Sequence, residues 1–174
     1  MKNIVFFLIL PLLFISCGST ETKSEEKVSV SENSSFALDL EKVDGGTFSF
    51  EEIRGKKHLV VAFWATWCEP CKQELKKIAE MYSDLSDSVE FVGVATDTEE
   101  MIDKVNEFVV ETALPFPVLV DPNGNTVSSI IPGGDTVPYL IIVDKNGVVV
   151  SRHSGYNPGD EVALRKELDE LSGR

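Results

Sequence analysis

The chain has 174 residues, a net charge of −13 and 43% hydrophobic residues. Such acidity argues against a nucleic-acid partner and favours neutral or basic protein surfaces. With three cysteines and two histidines, His58 and His153 both far from the cysteine pair, a four-ligand structural zinc site has little support.

Residues 1–17 read as a targeting segment. Lys2 supplies a positive start, and Ile4 to Ile15 form an apolar run broken by Pro11. The run is short for a bilayer span and suits a signal peptide. Leu13-Phe14-Ile15-Ser16-Cys17-Gly18-Ser19 then resembles a bacterial lipoprotein signal, in which the cysteine is diacylated and becomes the mature N-terminus. Leu13 stands four residues before Cys17 rather than three. An ordinary cleaved signal, with Cys17 lost or left free, is the alternative. Lipidation would consume Cys17 and leave one pair, Cys68 and Cys71. Residues 18–35 are rich in Ser, Thr, Glu and Lys and read as a disordered linker. As a flexible coil such a linker reaches about 25 Å. It would hold residues 36–174 near a membrane, and that length suffices for one domain with a core.

Phe36 to Leu40 alternates as a strand, Asp44-Gly45-Gly46-Thr47 is a turn, and Thr47-Phe48-Ser49 completes a hairpin. Phe50 to Arg54 suits a short helical turn ended by Gly55. His58 to Phe63 is a continuous apolar strand of the kind covered on both faces. Pro70 fits a first helical position. Leu75, Ile78, Ala79, Tyr82 and Leu85 continue that helix at helical spacing. Val89 to Ala95 is a second buried strand. Thr98 is placed to cap a helix from Glu99 to Glu111, with Met101, Ile102, Val105, Phe108 and Val109 on its apolar face. Val118 to Val120 is a short strand. Asn125 to Ile131 is a helical turn or irregular. Tyr139 to Val143 and Val148 to Arg152 are strands joined by Asp144-Lys145-Asn146-Gly147. Gly159 to Leu171 is a closing helix. The order implies a mixed α/β sheet with helices on both faces.

Cys68-Glu69-Pro70-Cys71 lies where the apolar strand meets the amphipathic helix. The helix start offers free N–H groups and partial positive charge, which stabilise a thiolate at Cys68. That thiolate is the nucleophile of disulfide exchange, and Cys71, one turn on, can resolve the mixed disulfide. Half of a zinc site or a purely structural disulfide are the competing readings. So small a loop removes little unfolded-state entropy, which disfavours the latter. Pro70 lacks an N–H and Glu69 adds negative charge, so both weaken thiolate stabilisation and favour a reducing couple. Glu69 is also simply favourable in a first helical turn. Glu74 shares the inward stripe of Cys71, Leu75 and Ile78. Desolvation there would raise its pKa and let it exchange a proton with Cys71. A boundary carboxylate facing solvent is the alternative. Trp67 is expected as an exposed apolar lip for substrate, Trp64 as core, and His58 and His153 as surface or strand-end residues.

Phe63 to Leu75, Thr136-Val137-Pro138 and the extra segment around residues 99–120 together resemble the thioredoxin superfamily. Within it they are most similar to the TlpA/ResA-like membrane-anchored thiol-disulfide oxidoreductases. The resemblance spans about residues 36–172. It implies a thioredoxin-like fold with an N-terminal β-hairpin and a central αβ insertion. It implies Cys68 as the more exposed attacking thiol and Cys71 as the buried resolving one. Pro138 matches the family's cis-proline, with the Val137 backbone pairing an extended substrate; a trans proline at an edge strand is the alternative. Many thioredoxins carry a buried acid where Ala62 stands, which directs attention to Glu74. No cofactor beyond the redox-active Cys68–Cys71 disulfide and no metal is implied. The implied partners are protein dithiols and disulfides, a membrane electron donor of the thiol-reducing type, and the membrane itself through the N-terminal lipid. The place would be the bacterial cell envelope, on its extracytoplasmic face. Apocytochrome c cysteines are the best-known substrates of similar proteins. Two further classes remain: a non-catalytic surface lipoprotein that binds a partner, and a peroxiredoxin-like peroxidase. The latter wants Pro-x-x-x-Thr-x-x-Cys, where this chain has Val61 and Ala65.

Mass spectrometry of the membrane fraction should find a mature N-terminus at a diacylated Cys17. An unmodified N-terminus beyond Cys17 would refute this.

Overall fold

A computed structural model describes residues 36–134 and 136–174. The targeting segment, Cys17 and the linker lie outside the described residues. The strands are β1 (Asp39–Lys42), β2 (Thr47–Ser49), β3 (His58–Trp64), β4 (Val89–Ala95), β5 (Val118–Val120), β6 (Tyr139–Val143) and β7 (Val149–Ser154). The helices are α1 (Glu69–Leu85), α2 (Ile102–Thr112), α3 (Asn125–Ile130) and α4 (Asp160–Leu171). The strands form one seven-stranded sheet in the order β2-β1-β5-β4-β3-β6-β7. β3, β4 and β5 run parallel at its centre, and the outer pairings are antiparallel. This is the mixed sheet that the order of elements implies.

Alternation along β3 builds two cores. Val60, Ala62 and Trp64 face one side, where Leu75 and Ile78 of α1, Val105 of α2 and Leu164 and Leu168 of α4 cover them. Leu59, Val61 and Phe63 face the other side, against Phe36, Leu38, Phe50, Val127 and Ile131. Only a strand buried on both faces can be apolar at every position, which is why this run was so legible.

Three details differ from the sequence reading, and at residues 125–130 one of its two alternatives holds. Phe36 and Leu38 are buried with Ala37 exposed between them, and the strand begins only at Asp39. Arg54 explains this: its guanidinium donates to the Phe36 carbonyl at 2.8 Å and lies 4.7 Å over the Phe50 ring. That clamp supplies the segment with a partner other than a strand. Thr98 does not cap a helix by its side chain; Glu99–Met101 form a 3₁₀ turn and α2 starts at Ile102. The Thr98 hydroxyl is engaged by Glu100 instead, which lowers the pKa of that carboxyl. Residues 125–130 are a true helix, held by the buried Asp121, whose Oδ2 accepts the Val127 N–H at 2.9 Å. β7 starts at Val149, and its pairing with β6 slips between Ile142 and Val143.

At the middle of β4, Gly93 makes room for Trp64. A Cβ there would stand 3.3 Å from the indole Nε1 and 3.6 Å from Leu75. Gly93→Val should lower stability by about 1–3 kcal/mol through overpacking, measured by urea unfolding. A stability equal to the parent's would show that this seam is slack.

Candidate active site

The site forms where β3 delivers the chain to α1. The parallel register sets Trp64 of β3 beside Ala95 of β4. The next residues on each strand therefore emerge together. The Thr66 N–H donates to Asp97 Oδ2 at 2.9 Å and Oδ1 at 3.2 Å, and the Thr66 hydroxyl donates to Oδ1 at 2.5 Å. Asp97 is buried. It pins the loop so that Trp67 turns outward, 68% exposed, and Cys68 becomes the N-cap of α1. Glu69 and Pro70 are the first two helical residues, one position earlier than Pro70 alone suggests. Pro at this point loses nothing, because its N–H would have no helical partner.

Cys68 and Cys71 are joined by a disulfide with S–S 1.98 Å. Cys68 Sγ also accepts the Cys71 N–H at 3.3 Å. Cys68 is 5% exposed and Cys71 fully buried. The order of exposure is the expected one, but Cys68 is far from open, because the bond to Cys71 draws its sulfur inward over the helix end. Glu69 is exposed and paired with Lys72 at 3.5 Å, so its charge does not act on Cys68 alone.

The Val137–Pro138 peptide bond is cis, and the segment leads into β6, the neighbour of β3. The Pro138 carbonyl accepts the Gly155 N–H at 2.8 Å, and Pro138 is buried while Val137 is half-buried. Trp67, the dithiol and Val137–Pro138 thus leave the same end of adjacent strands. On the outer side of Trp67, an open groove of about 290 Å³ runs to Lys72, Lys104 and Phe108, so the insertion helix α2 borders the site.

Glu74 is buried, 7% exposed, on the inward face of α1. Lys77, its nearest sequence partner, pairs with Glu80 at 2.8 Å instead. Burial, followed by the charge of Asp160, pushes the Glu74 carboxyl up to about 7. Its surroundings include one residue read as a surface or strand-end histidine and one that sequence reasoning missed. His153 and Tyr156 line the same cavity as Glu74. Trp64 is core, as expected, packed 4.8 Å from the Phe108 ring, with its Nε1 lacking a partner. Among the described residues no cluster of three His, Cys, Asp or Glu is placed to hold a metal ion.

Known proteins sharpen this geometry. The AhpC/TSA family model matches residues 32–152. A thiol-disulfide oxidoreductase ResA of Bacillus thuringiensis is 30% identical over 166 residues, covering 88% of this chain and 90% of its own. The chain belongs to the AhpC/TSA family. Within that family it is a thioredoxin-like thiol-disulfide oxidoreductase of the ResA kind. Two solved structures agree with this membership. A DsbE-type thiol:disulfide interchange protein of Chlorobium tepidum superposes with a TM-score of 0.71 at 25% identity, over 79% of this chain and 94% of its own. The exposed lipoprotein thioredoxin Etrx1 of Streptococcus pneumoniae gives 0.65 at 25% identity, over 77% and 98%. The mixed sheet with its helices is thus the architecture of known thiol-disulfide oxidoreductases.

The raised Glu74 carboxyl has a stability consequence with a definite sign. Below its ordinary value of 4.5 the group is protonated in both folded and unfolded chains. As pH rises through 4.5 toward 7, the unfolded chain ionises first, so the folded state loses stability. At about 1.4 kcal/mol per pH unit, the loss approaches about 3 kcal/mol above neutrality. Glu74→Gln removes this titration. Chemical denaturation should show the variant gaining on the parent as pH rises from 4 to 8. A stability difference independent of pH would mean that the carboxyl is not desolvated.

Proposed function

We propose that this oxidoreductase is a lipid-anchored reductase of protein disulfides on the extracytoplasmic side of a bacterial membrane. The observation that carries the reading is the Cys68–Cys71 pair at the N-terminus of α1 with the buried Glu74 carboxyl one turn beyond.

In the reduced protein, the start of α1 favours a thiolate at Cys68. Its sulfur attacks one sulfur of a substrate disulfide. A mixed disulfide forms, the substrate S–S bond breaks, and the departing thiolate takes a proton from water. Cys71 then gives its thiol proton to the Glu74 carboxylate and attacks Cys68 Sγ. The bond between Cys68 and the substrate breaks, the second substrate sulfur leaves as a thiolate that takes a proton from water, and the protein holds the Cys68–Cys71 disulfide. Two electrons have passed to the substrate, and a membrane donor of the thiol-reducing type returns them. A carboxyl titrating near neutrality suits this exchange, since it can both take and release the proton.

Trp67 supplies an apolar lip, and the Val137 backbone beside cis-Pro138 accepts an extended substrate segment, which reads main chain more than side chain. Glu69 and Pro70 temper the thiolate and favour the reducing direction. Lipid attachment at Cys17 is supported by the signal motif and by the similarity to an exposed lipoprotein thioredoxin. Cytochrome c maturation is one setting in which such a reductase would act. The peroxidase reading lacks support at the site: β3 and its following loop bury Val61 and Ala65 at the positions where it needs proline and threonine.

Cys68→Ala should abolish reduction of insulin disulfides, and Cys71→Ser should accumulate mixed disulfides through Cys68 in the native host. Non-reducing electrophoresis with mass spectrometry reads the second outcome. A Cys68→Ala protein of full activity would end the assignment.

A further inference from the structure

Glu74 faces a cavity of about 240 Å³ between α1, β6, the end of β7 and the start of α4. Ile78 and Leu140 form its apolar wall, and His153, Tyr156, Asp160 and Glu161 form its polar one. Liquid water occupies about 30 Å³ per molecule, so the space admits several. Glu74 receives no hydrogen bond from a protein group among the described residues, although it is more than nine-tenths buried. A buried carboxyl without donors is easier to protonate than to ionise.

The charged groups around it come from three elements. On α1, Cys71 is in the disulfide and Lys77 is drawn to Glu80. From β7 comes His153, whose Nε2 lies 2.9 Å from Glu167. The β7–α4 connection contributes Tyr156, whose hydroxyl donates to Glu161 at 2.9 Å. Burial and the neighbouring carboxylates push that phenol up to about 12, so it is no base at neutral pH. From α4 come Glu161 and Asp160. Glu161 is occupied by Tyr156 and by the Gly159 N–H at 2.8 Å. Asp160 is anchored in place by the Asn157 N–H at 2.8 Å. The wall is also fixed to the substrate side of the site, because Gly155 donates to the Pro138 carbonyl.

We propose that Asp160 is a positioning residue for Glu74: across the cavity its carboxylate holds the proton on Glu74, and the cavity is the route by which that proton reaches water. The proposal rests on Glu74 as the proton partner of Cys71. Its physical basis is like-charge repulsion between the buried Glu74 and the exposed Asp160 that line one cavity, where burial of one partner leaves the pair less screened than two surface charges. Neither Trp67 nor Val137 lines the cavity, so a substrate docked on them leaves its walls uncovered and proton release need not wait for the product to depart.

The test follows the alkylation rate of the reduced full chain in detergent against pH, using iodoacetamide. The inflection owed to Glu74 is the one that Glu74→Gln abolishes. Asp160→Asn keeps an acceptor for Asn157 and removes the charge. It should move that inflection to lower pH by about half a pH unit, and Asp160→Lys should move it further. In the Glu74→Gln background, Asp160→Asn should change nothing, because the two residues act as one unit. Carbon-13 NMR of the Glu74 carboxyl should show the same displacement directly. A profile that Asp160→Asn leaves in place, while Glu74→Gln alters it, overturns the role of Asp160 alone. An Asp160→Asn effect that persists without Glu74 also overturns it, since Asp160 would then act on the thiols themselves. If Glu74→Gln abolishes no inflection, the reading of Glu74 fails and takes this proposal with it.

Discussion

The bond set on which the site depends is the one between Asp97 and Thr66. One buried carboxylate takes both the N–H and the hydroxyl of a residue just ahead of the dithiol. A buried carboxyl without such donors would cost several kcal/mol, on the order of what small domains have to spare. The parallel pairing of β3 and β4 brings the two residues together. From that fixed point the loop has one course. Trp67 is left outside, Cys68 caps α1, and Cys71 falls on the helix's buried side.

Two buried acids therefore play opposite parts around the dithiol, Asp97 through Thr66 ahead of Cys68 and Glu74 three residues beyond Cys71. Asp97 takes both donors of Thr66 and works as a fastener. Glu74 has no protein donor among the described residues, and burial raises its carboxyl to about 7. Asp121 repeats the first role at α3, where it accepts the Val127 N–H. What a carboxylate does in this fold follows from the hydrogen bonds that reach it rather than from its depth.

The central strands, α1 and the dithiol were legible in the sequence because each carries a strong local signal. His58 to Phe63 is apolar throughout, and the cysteine pair opens a stripe of period 3.6. The inward position of Glu74 could be read from that same stripe. Asp97, Asp160 and Tyr156 could not. Each sits in a polar stretch after a strand or before a helix, where an acidic or phenolic residue is ordinary on a surface. Only the register between distant strands, or the packing of α4 against α1, gives them partners. Thr98 shows the reverse failure: its local pattern was that of a cap, and the neighbouring Glu100 took its hydroxyl.

The slip in register between β6 and β7 bears on the company this protein keeps. An oxidoreductase whose substrates are protein disulfides meets chains with extended segments that can join a strand. The sheet ends in β2, three residues long, and in β7, whose neighbour is irregular at Ile142 and Val143. A short edge and a bulged one are poor templates for adhesion. His153 and Arg152 add bulk and charge along the second. The end that bears Trp67 and Pro138 is thus set apart from two edges that offer little unbroken strand to an extended segment.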